Sequence, residues 1–272
     1  MSGKRSRVQG GWALPKNIRS DRDKPKASAA PVWLGKNVDQ PKEHKFVFEQ
    51  SEEELKEKPP ERIITKAGVY DISTEQSGVS RLRFFPNFIE SKDADWMFEQ
   101  LYHELPWRQR SDVRNGETFL QPRLTVWYGE YPYSYSGVTH QSNKEWSPLL
   151  TMLKDRLEEV TGHQFNSMLA NMYRDGHDSV DWHCDNERAL RKHPTIASLT
   201  FGDVRNFELR KIPPPESAGD YRFMEHVKIP LCHGSLLIMG GATQEQWQHR
   251  IPKEYHDRGA RINLTFRVIY PD

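Results

Sequence analysis

The stretch DWHCDNER, residues 181–188, holds a histidine and an aspartate two positions apart, His183 and Asp185. Imidazole nitrogens and carboxylate oxygens are both metal ligands, so this pair supplies half of what a zinc or iron site needs. Side chains alternate along a strand, so Cys184 points away from both neighbours, and we predict that it packs rather than binds metal. Alone, such a pair is more often an exposed polar pair, so further ligands must come from elsewhere in the chain.

A third ligand is predicted at His249, in the run TQEQWQHRIP that follows the apolar strand HGSLLIMGG. In a jelly roll, a His-x-Asp pair near one strand and a histidine on a later strand meet at the mouth of the barrel. Two histidines and one carboxylate on one side of a metal leave its opposite side open, which suits non-haem Fe(II). A zinc hydrolase uses a similar ligand set and is the alternative at this point.

The C-terminal strand RINLTFR alternates strictly between polar and apolar side chains. Its polar face carries Arg261, Asn263, Thr265 and Arg267. Two inward arginines are costly without anions, and a dicarboxylate co-substrate together with a ligand aspartate would satisfy both. Asn171 and Tyr173 share one face of an earlier strand and offer further donors. The alternative is a polar strand that faces solvent.

The elements that must position these residues are mostly strands. Short runs with two-residue alternation, separated by turns, fill the chain from about residue 165 to its C-terminal strand and predict a β-sandwich or jelly roll. Two helices, one capped by Ser91 and one spanning roughly 146–160, precede these strands and are predicted to cover one sheet.

The first part of the chain has a different composition. Hydrophobic residues make up 36% of the 272 residues, below the roughly 45–50% of average globular proteins. Residues 1–30 hold eight Lys/Arg against two Asp, and an acidic patch follows. We predict that residues 1–65 form a disordered tail before a folded domain at 66–272. The tail is either a solvated tether or a nuclear-import or nucleic-acid-contacting arm.

Two further features of composition bear on location. No apolar run approaches the ~18 residues that a membrane span requires, so no membrane association is predicted. The two cysteines, Cys184 and Cys232, fit a reducing compartment better than a disulfide scaffold.

In combination, the motifs resemble those of the AlkB-type Fe(II)/2-oxoglutarate dioxygenases over roughly residues 66–272. The motifs are Asn171-x-Tyr173, His183-x-Asp185, His249 and Arg261-x-Asn263-x-Thr265-x-Arg267. The resemblance implies a mainly β fold with flanking helices around a double-stranded β-helix (jelly roll) core.

The resemblance also implies a role for each motif. Fe(II) would be held by His183, Asp185 and His249. The distal carboxylate of 2-oxoglutarate would pair with Arg261, helped by Asn171 and Tyr173. Arg267 and Asn263 would lie near the other end of 2-oxoglutarate, and Arg267 would also lie near Asp185. With O2 as the other co-substrate, such enzymes release succinate and carbon dioxide.

The expected reaction is oxidative demethylation of N-alkylated bases in single-stranded DNA and RNA, with release of formaldehyde. The expected lesions, 1-methyladenine and 3-methylcytosine, carry positive charge and unstack easily. Residues 107–140, with Asn115-Gly116 as a hairpin signal, are predicted to form a nucleotide-recognition lid rich in aromatic and arginine side chains. Substrate contacts are predicted for Trp107, Arg123, Tyr133, Ser134, Tyr135, Asn186 and Glu187.

One residue departs from the family pattern, since related repair enzymes carry two acids after the metal aspartate and this chain has Asn186 and then Glu187.

The alternative functions are a related 2-oxoglutarate oxygenase that acts on protein and a catalytically silent nucleic-acid-binding module. The family further implies a helicase-containing repair complex as partner and a location in nucleus and cytoplasm. A monomer is expected, because no coiled-coil pattern is present.

Overall fold

The computed structural model describes residues 58–114, 116–135 and 138–271, without the side chains of residues 112–114, 134–135 and 138–139. The first strands in chain order are β1 (Arg62–Ile63), β2 (Gly68–Glu75), β3 (Gly78–Phe85), β4 (Arg108–Arg114), β5 (Glu117–Gly129), β6 (Tyr133–Tyr135), β7 (Val138–His140) and β8 (Ser167–Tyr173). The later strands are β9 (Val180–His183), β10 (Ile196–Gly202), β11 (Arg205–Lys211), β12 (His226–Leu231), β13 (Leu236–Gly241), β14 (Trp247–Ile251) and β15 (Arg261–Arg267). The helices are α1 (Ser91–Glu104), α2 (Pro148–Thr161) and the short α3 (Thr243–Gln246).

The described strands form two large sheets. Eight strands follow the order β2-β3-β13-β10-β15-β8-β5-β4, and five follow the order β1-β12-β11-β14-β9. An apolar cluster contains side chains from both sheets, among them Phe84, Ile196, Leu209 and Trp247, so the two sheets pack face to face. The predicted double-stranded β-helix core is confirmed, and the strand β9 lies at one edge of the five-stranded sheet.

The start of the folded part differs from the prediction. Residues 1–57 of the predicted tail lie outside the described residues, but residues 62–64, at the end of the predicted tail, are folded. Strand β1 pairs in parallel with β12, and Ile64 is buried between the sheets. The physical reason is that Ile64 gains apolar contacts there, although the run RII is too short to signal a strand in the sequence.

Two helices form an outer layer on the eight-stranded sheet. Buried side chains of α1 and α2, such as Leu101 and Leu150, pack with Phe201 and Leu264 of that sheet. Helix α2 begins where Ser147 Oγ accepts a hydrogen bond from the Leu150 amide at 3.3 Å, as the N-cap rule expects. Ser91 does not cap α1 as predicted. Glu90 occupies the N-cap position without a side-chain cap hydrogen bond, and Ser91 is the first helical residue.

Alternation along β15 assigns its two faces as the sequence predicted. Ile262, Leu264 and Phe266 pack under the helices, and the four polar residues point between the sheets into a cavity. This cavity, which we call the inner cavity, lies beside β8, β9 and β14. Within the described residues, no helix has the length and apolar character needed to cross a membrane.

Candidate active site

Three predicted metal ligands converge at one end of the inner cavity. His183 ends β9, His249 lies in β14 directly opposite it, and Asp185 follows β9 by two residues. One ligand atom from each lies within 4.8 Å of the others, and the two imidazole ring centres are 4.2 Å apart. The antiparallel pairing of β9 and β14 therefore builds the group from residues that are distant in sequence.

Neighbouring groups orient each ligand. His183 Nδ1 lies 2.7 Å from the Asp181 carbonyl, so this nitrogen donates, and Nε2 is the ring nitrogen that faces the metal group. The ring of His249 stacks on Phe207. Arg267 donates two hydrogen bonds to Asp185 Oδ2, at 2.7 and 3.1 Å. Asp185 Oδ1 is buried and has no hydrogen-bond partner among the described residues, so its lone pairs are available to a cation.

The charge states of the three residues suit a divalent metal. Burial lowers the pKa of His249 to about 3, with the neighbouring His183 acting in the same direction. Burial also lowers the pKa of His183. Burial tends to raise the pKa of Asp185, but Arg267 and the two histidines hold it well below its usual range. At neutral pH the group thus offers two neutral imidazoles and one carboxylate, as Fe(II) requires.

Arg261 lies across the inner cavity and is the strongest sign that an anion binds there. Its side chain is 1% exposed, and Nη2 donates to Thr200 Oγ1 at 3.0 Å. Nε and Nη1 are buried without a hydrogen-bond partner among the described residues. Burial lowers the pKa of Arg261 to about 10, which still leaves it charged at neutral pH. A buried cation with free donors needs a carboxylate, and 2-oxoglutarate supplies one.

The other predicted co-substrate residues line the same cavity. Asn171 Oδ1 accepts a hydrogen bond from Arg123 Nε at 2.9 Å, which leaves the amide NH2 of Asn171 to donate. The ring of Tyr173 lies 5.1 Å from the Arg261 guanidinium. Asn263 is held by its neighbours instead, because its amide donates to Ser198 and Leu199 and accepts from Thr265. We therefore assign Asn263 a positioning role beside the cavity.

The inner cavity borders a second space, the outer cleft, of about 740 Å³. The cleft is lined by residues 119–123, 179–183, 250–253 and Tyr255. Arg123 and the metal-ligand candidate His183 line both spaces. The side chains of Leu120 and Tyr255 are 60% and 83% exposed at the cleft. A large substrate can therefore reach the metal ligands from this side.

Trp107, a predicted substrate contact, is not among the residues that line the inner cavity. Its indole donates to the carbonyls of Leu101 and Tyr102 at the end of α1, both at 3.2 Å. It packs in the helical layer, on the opposite face of the eight-stranded sheet from the inner cavity. The aromatic residue type suggested base stacking, but the open carbonyls at the helix end hold the side chain.

Of the remaining substrate candidates, Tyr133, Asn186 and Glu187 lie near Asp185. Tyr133 is buried and stacks on Trp127 with ring centres 4.7 Å apart. Burial raises the pKa of Glu187, and the charge on Asp185 acts in the same direction. Asn186 is exposed and, with Glu187, lines a separate cavity of about 300 Å³. The side chains of Ser134 and Tyr135 lie outside the described residues, as does Asn115.

Two buried residues that no sequence pattern indicated also position the site. Gln244 Oε1 accepts a hydrogen bond from the Asp185 amide at 2.9 Å and so fixes the loop after β9. Thr200 orients the Arg261 fork. Gln244 belongs to the run TQEQWQH that contains His249. Its position in the sequence, five residues before a predicted metal ligand, was the only sign that it lies at the site.

Comparisons with known proteins agree with this geometry. The model of the 2OG-Fe(II) oxygenase superfamily matches residues 81–267. "Alpha-ketoglutarate-dependent dioxygenase alkB homolog 3" of Mus musculus is 52% identical over 98% of this chain and 96% of its own length. The Homo sapiens protein of that name is 51% identical over 99% and 96%. "DNA oxidative demethylase ALKBH2" of Bos taurus is 38% identical over 66% of each chain.

Proposed function

This chain belongs to the 2OG-Fe(II) oxygenase superfamily, in its AlkB-type group, and on that basis we propose that it removes alkyl groups from base nitrogens in single-stranded DNA and RNA. It is a dioxygenase that uses Fe(II), 2-oxoglutarate and O2. The observation that carries the proposal is the His183, Asp185 and His249 group beside the buried Arg261, two of whose nitrogens have no hydrogen-bond partner among the described residues. The outer cleft borders this group at His183.

When bound by this group, Fe(II) together with 2-oxoglutarate and O2 would supply the oxidant that converts a C–H bond of the alkyl group to C–OH. The protein's own residues hold the reactants in place. We propose that Arg261 pairs with the distal carboxylate of 2-oxoglutarate and that Asn171 donates to the same molecule. Arg267 keeps Asp185 ionised and fixes its orientation. The partly exposed His183 marks the side from which the methylated base approaches.

The product then follows from carbon–nitrogen chemistry. A hydroxymethyl group on a base nitrogen breaks its C–N bond, the hydroxyl proton is lost, and formaldehyde leaves with the base restored. A zinc hydrolase does not need a buried anion-binding arginine, and neither does a silent binding module. Arg261 therefore supports an oxygenase over both alternatives.

The substrate class is supported by the outer cleft and by a relative whose name is DNA oxidative demethylase. The cleft combines exposed apolar side chains, Leu120 and Tyr255, with the cations Arg123, Arg250 and Lys253. Single-stranded nucleic acids are bound by this combination of stacking surface and positive charge. 1-Methyladenine and 3-methylcytosine are the proposed lesions, because their unpaired bases leave the stack at low cost.

The proposal is tested by measuring succinate release with a matched panel of substrates. The first substrate is a single strand of about 15 nucleotides with one 1-methyladenine, a length within the ~4–16 nucleotides that single-strand sites occupy. The panel also contains its duplex, its RNA counterpart, the unmethylated strand and a methyl-lysine peptide. We expect release to be coupled to repair with the methylated single strands. Release stimulated by the peptide alone would move the substrate class to protein.

Asn186 offers a test of lesion preference. We predict that Asn186→Asp raises kcat/KM for the cationic 1-methyladenine by roughly two- to fivefold, the gain expected from one partly solvated charge contact. The exposed position allows the change without loss of stability. The neutral lesion 3-methylthymine is the control, for which no gain is expected. Equal effects on both lesions would refute a charge-based role for this position.

A further inference from the structure

The outer face of the five-stranded sheet carries a stack of two arginines and two aromatic rings. The Arg210 and Arg250 guanidinium carbons lie 4.3 and 4.4 Å from the centre of the Trp182 ring. Arg210 also lies 3.6 Å from the centre of the Tyr221 ring. We call these four residues the arginine–aromatic stack. None of them was predicted to bind substrate.

The stack lies at the rim of the outer cleft. Trp182 directly precedes His183 on the edge strand β9, and successive side chains on a strand point to opposite faces. His183 therefore points toward the metal group while Trp182 points outward. Trp182 and Arg250 nevertheless line the same cleft as His183, since β9 is the last strand of its sheet. Two residues of the stack, Trp182 and Arg250, therefore form part of the cleft wall, and Arg210 lies against Trp182.

The two arginines differ in charge balance. Arg250 forms an ion pair with Glu208, with Nη2 at 2.7 Å from Oε2. Arg210 donates from Nε and Nη2 to the neutral amide oxygen of Gln248, at 2.9 and 2.7 Å. Arg210 has no carboxylate within 4.0 Å in the described part of the chain, so its positive charge is not neutralised by an ion pair.

Arg210 is also held in a fixed orientation. Its guanidinium contacts the Trp182 and Tyr221 rings and bonds to Gln248, which restricts the rotation of a long side chain. Two of its five N–H groups point to Gln248, and the Nη1 end is left to bind a ligand. A fixed, charged fork loses little entropy on binding and matches the geometry of a phosphate.

We propose that Arg210 binds a backbone phosphate of the single strand next to the target base, with the stack as its support. This inference rests on the proposed nucleic-acid substrate. Arg210 would bind DNA and RNA alike, because both have the same backbone phosphate. A phosphate contact also carries no sequence information, so binding should not depend on the base sequence. The stack then determines how tightly a strand binds and leaves the chemical step unchanged.

The variant Arg210→Gln keeps a hydrogen-bonding side chain and removes the charge. We expect it to weaken binding of an unmethylated single strand roughly three- to tenfold at low salt, equally for different sequences. The slope of log K against log salt should become shallower by about 0.7, the value for one lost single-strand phosphate contact. Fluorescence anisotropy at several salt concentrations measures both quantities, and thermal unfolding checks the fold.

Arg156→Gln is the matched control. Arg156 also lies over an aromatic ring, Phe88 at 5.0 Å, and donates to a carbonyl, but it belongs to α2 in the helical layer. Its loss should leave affinity and salt slope unchanged. An unchanged slope in folded Arg210→Gln would overturn the inference even if the wild type repairs methylated strands. A shallower slope in Arg210→Gln alone would support the phosphate contact even if the wild type repairs none.

Discussion

Asp185→Asn is expected to abolish demethylation and to destabilise the protein. The amide replaces the charged ligand, and turnover should fall by well over about 100-fold, since altering residues that merely orient metal ligands already costs ~10–100-fold. Arg267, which is 4% exposed, would lose its carboxylate partner. Breaking a buried ion pair costs about 3–5 kcal/mol. Succinate release, iron binding and denaturant unfolding of the metal-free protein measure the three effects.

Asp178→Asn is the matched control for that substitution. Asp178 is also buried, at 4% exposure, and accepts two hydrogen bonds from Arg174, each at 2.8 Å. It is not part of the metal-ligand group. We expect reduced stability with turnover per folded molecule retained. Equal losses of turnover in the two variants would argue against Asp185 as a metal ligand.

Arg261→Met is expected to raise the KM for 2-oxoglutarate about 100-fold or more, because each charged hydrogen bond contributes roughly 1.5–3 kcal/mol. The same change should leave the protein without 2-oxoglutarate equally stable or more stable, since Arg261 is a buried cation with two nitrogens that lack a hydrogen-bond partner within the described residues. The stabilisation that 2-oxoglutarate gives the wild type should disappear. Titration of the melting temperature against 2-oxoglutarate measures both effects.

Arg205→Met separates this role from the general effect of losing a buried arginine. Arg205 is also 1% exposed, but it donates to the carbonyls of Asp175 and Asp178 at 3.0 and 2.9 Å. Its removal should lower the melting temperature clearly. If Arg261→Met destabilises the protein as much as Arg205→Met does, Arg261 supports the fold rather than binding an anion.

The co-substrate side of the site was predictable because it lies on strands. Alternation along RINLTFR places Arg261 and Arg267 on one face with period two, and the structure puts both in the inner cavity. The pairing of β15 with β8 then sets Arg261 opposite Tyr173 and Asn263 opposite Asn171. The alternation in the sequence shows which face of a strand a residue occupies. The jelly-roll fold then determines which strand faces lie opposite each other.

Loop and helix-end residues were not predictable in the same way. Trp107 follows α1, where local carbonyls hold its indole, and residue type alone does not reveal that contact. The hydrogen bond between Gln244 and the Asp185 amide joins residues 59 positions apart and follows no periodic pattern. The arginine–aromatic stack likewise depends on the register of β9, β11 and β14, which the sequence does not specify. A helicase-containing partner, the location in nucleus and cytoplasm and the monomeric state stay predictions.

The most direct test of the account is the intact mass of a single-stranded oligonucleotide that carries one 1-methyladenine. The protein is reconstituted with Fe(II) and 2-oxoglutarate without oxygen, the strand is added, and oxygen starts the reaction. We predict that the strand loses the mass of one CH2 group only in the complete mixture with wild-type protein. His249→Ala, verified as folded, should leave the strand unchanged. Consumption of 2-oxoglutarate with an unchanged strand, at saturating strand concentration, would contradict the proposed substrate.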